Sequence, residues 1–214
     1  MAAHIYKLAA GNRVPSVTTI TGRYKDSSAL IHWAWEEGIN GRDYRESRDK
    51  AAGAGTLAHA MIEAYLRKEL LPLPANYTEE MYAAALNSFN AAKAWLESSK
   101  MNIVYSEVPL VSEVYRFGGR LDAIAELDGQ LSLADWKTGG IYAEHLIQVA
   151  GYAILWEENY PDKPLTGGFE LCRFSRDHGD FSHKHLPTLP EAKEAFLAMR
   201  RLYDIDKDLK RRAA

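Results

Sequence analysis

The stretch from Gly118 to Gly140, GGRLDAIAELDGQLSLADWKTGG, constrains the fold of this chain more than any other. Asp128 and Gly129 separate two largely apolar runs, and an Asp-Gly pair in that position is a strong two-residue hairpin signal. Folding the chain about that turn makes the runs antiparallel neighbours and leaves Asp122 close to opposite Asp135. In the second run Leu131, Leu133, Asp135 and Lys137 share one parity, and therefore one face of a sheet. An apolar face thus turns into an acid and a base, with a second acid across the strand pair. Such charges are costly to bury unless they pair, bind a metal or act on a substrate.

The 214 residues, 47% of them hydrophobic, suffice for one substantial core. A single domain over 1–214 is expected, with helices over about the first hundred residues and a core of sheet and helices after them. A net charge of −3 excludes a polybasic protein that holds nucleic acid by bulk charge. The only cysteine, Cys172, excludes an internal disulfide and a self-contained four-cysteine iron–sulfur or zinc site, and fits a reducing interior. MAAHIYKLAAG lacks the apolar centre of a signal peptide, and no run approaches the roughly 18 residues of a membrane span. A cytoplasmic protein with no membrane partner is expected.

Pro15 and Ser16 precede an apolar run that predicts a short first helix. A helical pattern runs from Ser27 to about Leu70, broken near Gly38 to Gly41 and loosened at AAGAG. LLPLPANYT predicts a loop, and Thr78 opens an Ala-rich helix ending near Lys100. Alternation of β-branched and aromatic residues from Ile103 to Lys137 predicts strands. A helix follows from about Tyr142 to Asn159, with Leu146, Val149, Ala150, Ala153 and Trp156 as its buried stripe. GGFELCRF and DFSHKHL predict two strands, and Pro190 starts a last helix that ends in KDLKRRAA. Helices, meander, helix, strands and helix make an α/β protein with a mixed sheet and a helical N-terminal layer.

Two neighbouring carboxylates repel, and a divalent cation between them reverses that, since Mg2+ favours carboxylate oxygens. Lys137, two residues along from Asp135, can then orient an attacking water and stabilise charge growing on a phosphoryl oxygen. Asp122, Asp135 and Lys137 together describe metal-assisted phosphodiester hydrolysis. In GTLAHAMIEAYL, His59 and Glu63 stand one helical turn apart on one face, and imidazole suits Mn2+ as well as or better than Mg2+. In HLIQVAGYAILW, Gln148 and Tyr152 share a face opposite the apolar stripe, where they can bond a phosphate or support the lysine.

The order GTxxHxxxE, GGRxD, DxKTG and QxxxY resembles the RecB-like branch of the PD-(D/E)XK nuclease superfamily. With VPSVTTI at the start and the DWKTG form, the chain is most similar to phage-type exonucleases and the mitochondrial genome maintenance exonuclease. The resemblance implies a restriction-endonuclease-like mixed sheet flanked by helices, with an N-terminal helical cap. It implies Asp122, Asp135, His59 and the Trp136 carbonyl as ligands of Mg2+ or Mn2+, and Lys137 as the catalytic lysine. Gln148 and Tyr152 would support that lysine and the DNA strand, and Glu63 would stand near the metal. Arg120 and Thr138, inside the same motifs, would contact nucleic acid, and Glu107 matches an acidic position on the first core strand. Some RecB-like relatives carry four cysteines for an iron–sulfur cluster; with only Cys172, this chain falls among the cluster-free members.

The expected activity is exonucleolytic hydrolysis of DNA from free ends, as a single strand, in recombination, replication or repair in a phage-infected bacterium. The partners expected are DNA and a recombination or single-strand-binding protein. A flap or branch endonuclease, and a nuclease fold that only binds DNA or a recombination partner, are the alternatives. His183 and His185 alternate on a predicted strand, but no acidic partner shares that alternation, which favours a polar strand face over a second metal site. Trp33 and Trp35 are read as packing rather than base stacking. The charged runs at Arg42 to Lys50 and Lys207 to Arg212 are read as solvated helix faces.

Overall fold

The computed structural model describes residues 4–71 and 77–213. In chain order the elements are β1 (Tyr6–Lys7), β2 (Arg13–Val14), α1 (Val17–Arg23), α2 (Ser28–Ile39), α3 (Tyr44–Arg67) and α4 (Glu79–Ser99). There follow β3 (Asn102–Ser112), β4 (Phe117–Leu127), β5 (Gln130–Lys137), α5 (Ala143–Asn159), β6 (Gly168–Phe174), β7 (Phe181–Leu186) and α6 (Pro190–Ala213).

Side-chain caps set the helix starts. Ser16 Oγ accepts from Thr19 N–H, the Asp43 carboxylate from Arg45 N–H, and Thr78 Oγ1 from Met81 N–H. α3 and α4 both end on a lysine in the left-handed conformation, Lys68 and Lys100. The expected break between α2 and α3 falls at Asn40 to Asp43, whereas the loosening expected at AAGAG does not occur, and α3 runs through it unbroken. Those glycines permit close approach instead. A Cβ at Gly53 would collide with the Met81 side chain, and one at Gly55 would lie 3.0 Å from Thr138 Oγ1. The loop expected from Leu70 to Thr78 falls mostly outside the described residues.

The main sheet has the order β3-β4-β5-β6-β7. Every neighbouring pair is antiparallel except β5 and β6, which are parallel and joined through α5. Asp128 and Gly129 both have positive φ, as a tight two-residue hairpin turn requires. The ladder from that turn runs from Leu127–Gln130 to Ala123–Ala134, so the next step sets Asp122 opposite Asp135. The short β1–β2 hairpin was not anticipated from the sequence. It lays the Tyr6 ring over Gly118, where any Cβ would strike it.

Helices cover both faces. On one, Ile20 of α1, Val149 and Trp156 of α5, and Phe196 of α6 bury against Phe117, Ile124 and Leu133. On the other, Ile62 of α3 and Ala92 and Trp95 of α4 bury against Ala134, Trp136 and Phe174. Odd residues of β5 thus face α5, even ones face α3 and α4, and each large side chain so buried contributes roughly 1.5–3 kcal/mol. One expectation is corrected. Tyr152 does not lie opposite the apolar stripe of α5 but is 5% exposed and part of the same core. The sheet lies on one side of α5 and Phe196 meets Gly151 on the other, so burial extends round the helix from Val149 to Trp156.

Candidate active site

The β4–β5 ladder ends at Ala123–Ala134, and just beyond it Asp122 takes over the role of a backbone partner: its Oδ2 accepts from Trp136 N–H at 2.8 Å. A residue's N–H and C=O point to the same edge of a strand, so the Trp136 carbonyl is directed toward Asp122 as well. On the other side of β4, Glu107 lies between the pairs Ser106–Ala123 and Val108–Leu121, and so stands opposite Asp122. Its φ is +52°, a left-handed conformation that a non-glycine residue rarely takes inside a strand.

α3 brings His59 to the same point, with Nδ1 3.6 Å from Asp122 Oδ1. One ligand atom each from His59, Glu107 and Asp122 lie within 4.8 Å of one another. Burial pushes the Glu107 carboxyl up to about 8, the Asp122 charge adds to this, and the Arg120 guanidinium, 2.7 Å from Glu107 Oε2, acts against it.

Asp135 is 1% exposed. Lys137 Nζ lies 2.6 Å from its Oδ2, a close ion pair that does not meet hydrogen-bond geometry, so neither carboxylate oxygen has an aligned donor. Burial raises the Asp135 pKa and Lys137 opposes the rise. For Lys137 burial acts downward, but the charges of Asp135 and Asp122 outweigh it and keep the ammonium protonated. Lys137 Nζ donates to Gln148 Oε1 at 3.3 Å, and Gln148 Nε2 donates to Tyr152 Oη at 2.9 Å. Tyr152, raised well above its usual range by burial, remains a neutral phenol.

The structure therefore gathers His59, Asp122, Asp135, Lys137, Gln148 and Tyr152, together with the Trp136 backbone, at one end of the sheet. Three other expected residues have different immediate partners. Glu63 pairs with Arg67 at 2.7 Å and stands outside the ligand cluster. Arg120 is engaged by Glu107, and Thr138 sits beside Gly55 of α3. The clustered acids are Glu107 and Asp122, while Asp135 lies outside the group and is held by Lys137. His145, which no motif singled out, caps α5 by accepting from Tyr142 N–H; burial lowers its pKa to about 4 and keeps it neutral. Trp33 meets Tyr44 edge-on, whereas Trp35 is 61% exposed. The charged runs form surface ion pairs such as Lys50–Glu80 and Arg212–Asp208, while Arg42 pairs with the buried Glu37.

The residues fit a divalent cation. Two carboxylates and an imidazole converge, and a buried carboxylate beside them lacks an aligned donor. Such an ion would supply charge neutralisation and Lewis acidity at a phosphoryl group. Beside Tyr152 and Arg120 opens a cavity of about 360 Å³, lined also by His4, Tyr6, Ser16 and Thr18.

The sequence profile of the PD-(D/E)XK nuclease superfamily matches residues 28–210, and the chain belongs to that superfamily. Its mixed sheet flanked by helices is the restriction-endonuclease-like fold. Among solved structures the chain is similar to a protein provisionally named an exonuclease, from Eubacterium rectale. The identity is 11% and the TM-score 0.48, over 70% of this chain and 64% of that one. It is also similar to SSO0001, at 14% identity and a TM-score of 0.36, over 68% of this chain and 82% of that one. No curated protein matches the chain. Among the described residues no helix is long and apolar enough to cross a membrane.

Proposed function

We propose that this protein is a divalent-metal-dependent deoxyribonuclease of the RecB-like branch, acting from DNA ends with a preference for single strands. The convergence of His59, Glu107 and Asp122 beside the buried Asp135–Lys137 pair is the observation that carries this reading. His59, Asp122 and Glu107, which cluster, would hold Mg2+ or Mn2+, with Asp135 and the Trp136 carbonyl as the further ligands. Lys137, fixed by Asp135 and Gln148, presents its ammonium to the attacked phosphate and orients the incoming water. Gln148 and Tyr152 hold that lysine in place. Glu63, through Arg67, and Arg120, through Glu107, tune the cluster and lie near the DNA backbone, with Thr138 beside it. Action at ends is supported by the cavity next to Tyr152, which has room for about one nucleotide and is lined by hydroxyls and Arg120.

The test is a time course on single-stranded DNA labelled at its 5′ or 3′ end, with Mg2+, Mn2+ or EDTA, comparing wild type with Asp135→Ala. Metal-dependent loss of DNA that the variant abolishes supports the nuclease, and the two label patterns give its polarity. Equal cutting of a closed circle and its linear form would overturn action at ends. Retained DNA binding without cleavage under any metal would overturn catalysis.

A further inference from the structure

The β7 edge of the same sheet carries a second constellation. β7 is an edge strand, and His183 and His185 alternate on it. The acid that meets them comes from β6, where Glu170 pairs directly with His185 in the sheet register. Glu170 is 2% exposed. Its Oε2 lies 2.5 Å from His183 Nε2 and its Oε1 2.9 Å from His185 Nδ1. No lysine or arginine pairs with this carboxylate among the described residues; its recorded partners are the two imidazoles. A cavity of about 310 Å³ opens in front of the three, lined by Met101, Gln130 and Ser132 among others.

We propose that His183, His185 and Glu170 form a second metal site, separate from the nuclease centre, for a borderline transition-metal dication such as Zn2+. Two imidazoles and one carboxylate are a donor set that favours zinc, nickel or copper over Mg2+. Two ligand atoms each about 2.1 Å from one ion stand roughly 3.0–3.4 Å apart, so the imidazole–carboxylate spacings need to open only slightly. The imidazoles bond different oxygens of Glu170, and the three donor atoms do not all lie within 4.8 Å of one another, so one ion requires a ring to turn toward the other. The His185 side chain, 52% exposed, has the freedom to do so, whereas His183 is held edge-on against Trp95. The cavity leaves space for water as a further ligand. Bound there, the ion clamps edge strand β7 to β6, two strands across from the β5 that carries Asp135 and Lys137.

The nuclease centre also contains donors, so the test first removes its imidazole and one of its clustered carboxylates. In a His59→Ala, Asp122→Asn background, Zn2+ binding is measured by competition with a chromophoric chelator, and Co2+ is used as an optical probe. One equivalent of Zn2+ is expected, with visible Co2+ bands indicating imidazole ligation and a rise in melting temperature. Adding His183→Ala or His185→Asn should weaken Zn2+ roughly 100-fold and abolish both signals. The His185→Asn change lies at a half-exposed ring, and its far-UV circular dichroism should match that of the parent. The proposal is overturned if the background variant takes up no zinc at 100 µM, about that concentration being generous for a site of this donor set. It is equally overturned if uptake persists undiminished in both histidine variants. Neither result depends on DNA cleavage, so failure here is distinct from failure of the nuclease reading.

Discussion

In the proposed reaction Glu107 and Lys137 divide two tasks from strands on either side of β4. Glu107, whose carboxyl is pushed up to about 8 from an ordinary 4.5, is a strained and electrostatically frustrated acid without a cation. A raised carboxyl pKa contributes stability that is fully present below about 4.5 and lost as pH rises through about 8. The metal-free protein should therefore lose melting temperature across that window, and saturating Mg2+ or Mn2+ should restore most at its alkaline end. Glu107→Gln should flatten the metal-free profile and weaken metal binding, as read by thermal denaturation at several pH values with and without the ion. Lys137 stays protonated, so its task in the proposed reaction is positive charge rather than proton abstraction. Lys137→Ala should lower kcat by about 10²–10³ while leaving metal affinity largely intact. Most of this site was legible in the sequence, because parity on β5 and the Asp128–Gly129 turn fix Asp135, Lys137 and Asp122 with few alternatives. The place of Glu107 in the cluster was less so. It depends on the register of β3 against β4, set by a four-residue turn at Glu113 to Arg116 that carries no Asn-Gly or Asp-Gly signature.

Helices and strands depend on what they leave out as much as on what they bury. Gly119 on β4 lies under Tyr152 and Leu155, and Gly151 on α5 lies against Phe196, each with ring or methyl carbons under 3.0 Å from where a Cβ would stand. Gly151→Ala should push α5 and α6 apart at a cost of about 1–3 kcal/mol, seen as a lower urea midpoint. Gly119→Ala should in addition shift Tyr152 and through it Gln148, lowering kcat more than stability alone accounts for. At the α2–α3 corner, Arg42 and Ser47 hydrogen bonds hold the Glu37 carboxyl down to about 2. A depressed pKa contributes above about 4.5 and is lost as pH falls through about 2, so amide protection at this corner, relative to the intrinsic exchange rate, should fall in acid. Glu37→Gln should lower that protection at pH 6 as well, by about the same route. These corner contacts could not be read from the pattern Arg42 to Lys50, which shows only alternating charge. The same limit explains Glu170, since its distance from His183 and His185 in sequence disappears only once β6 and β7 pair.

The molecule as a whole is built on strands that serve two cores at once. Ile124 and Leu133 face α5, while Ala123 and Ala134, their immediate neighbours, face α3 and α4. Neither helical layer can leave without exposing strands that the other layer also uses, so the two cores should unfold in one transition rather than as two domains. The superfamily match begins at residue 28, yet Val17 and Ile20 of α1 are fully buried against the α5 side. The segment before the match is thus part of this core. Ile20→Ala should cost about 2–5 kcal/mol through lost burial and the cavity left behind. Trp95→Leu, on the opposite face, should shift the same transition. Calorimetry and denaturant titrations of both variants, followed by fluorescence and circular dichroism, test this. A single coincident transition displaced by either substitution fits one cooperative unit. Separate transitions, each responding to one variant, would mean that the layers fold independently and that α1 stabilises only its own side. Metal affinity at the nuclease centre should be unchanged in Ile20→Ala, because α1 reaches the sheet on the side of Phe117 and supplies no ligand to the His59–Glu107–Asp122 cluster.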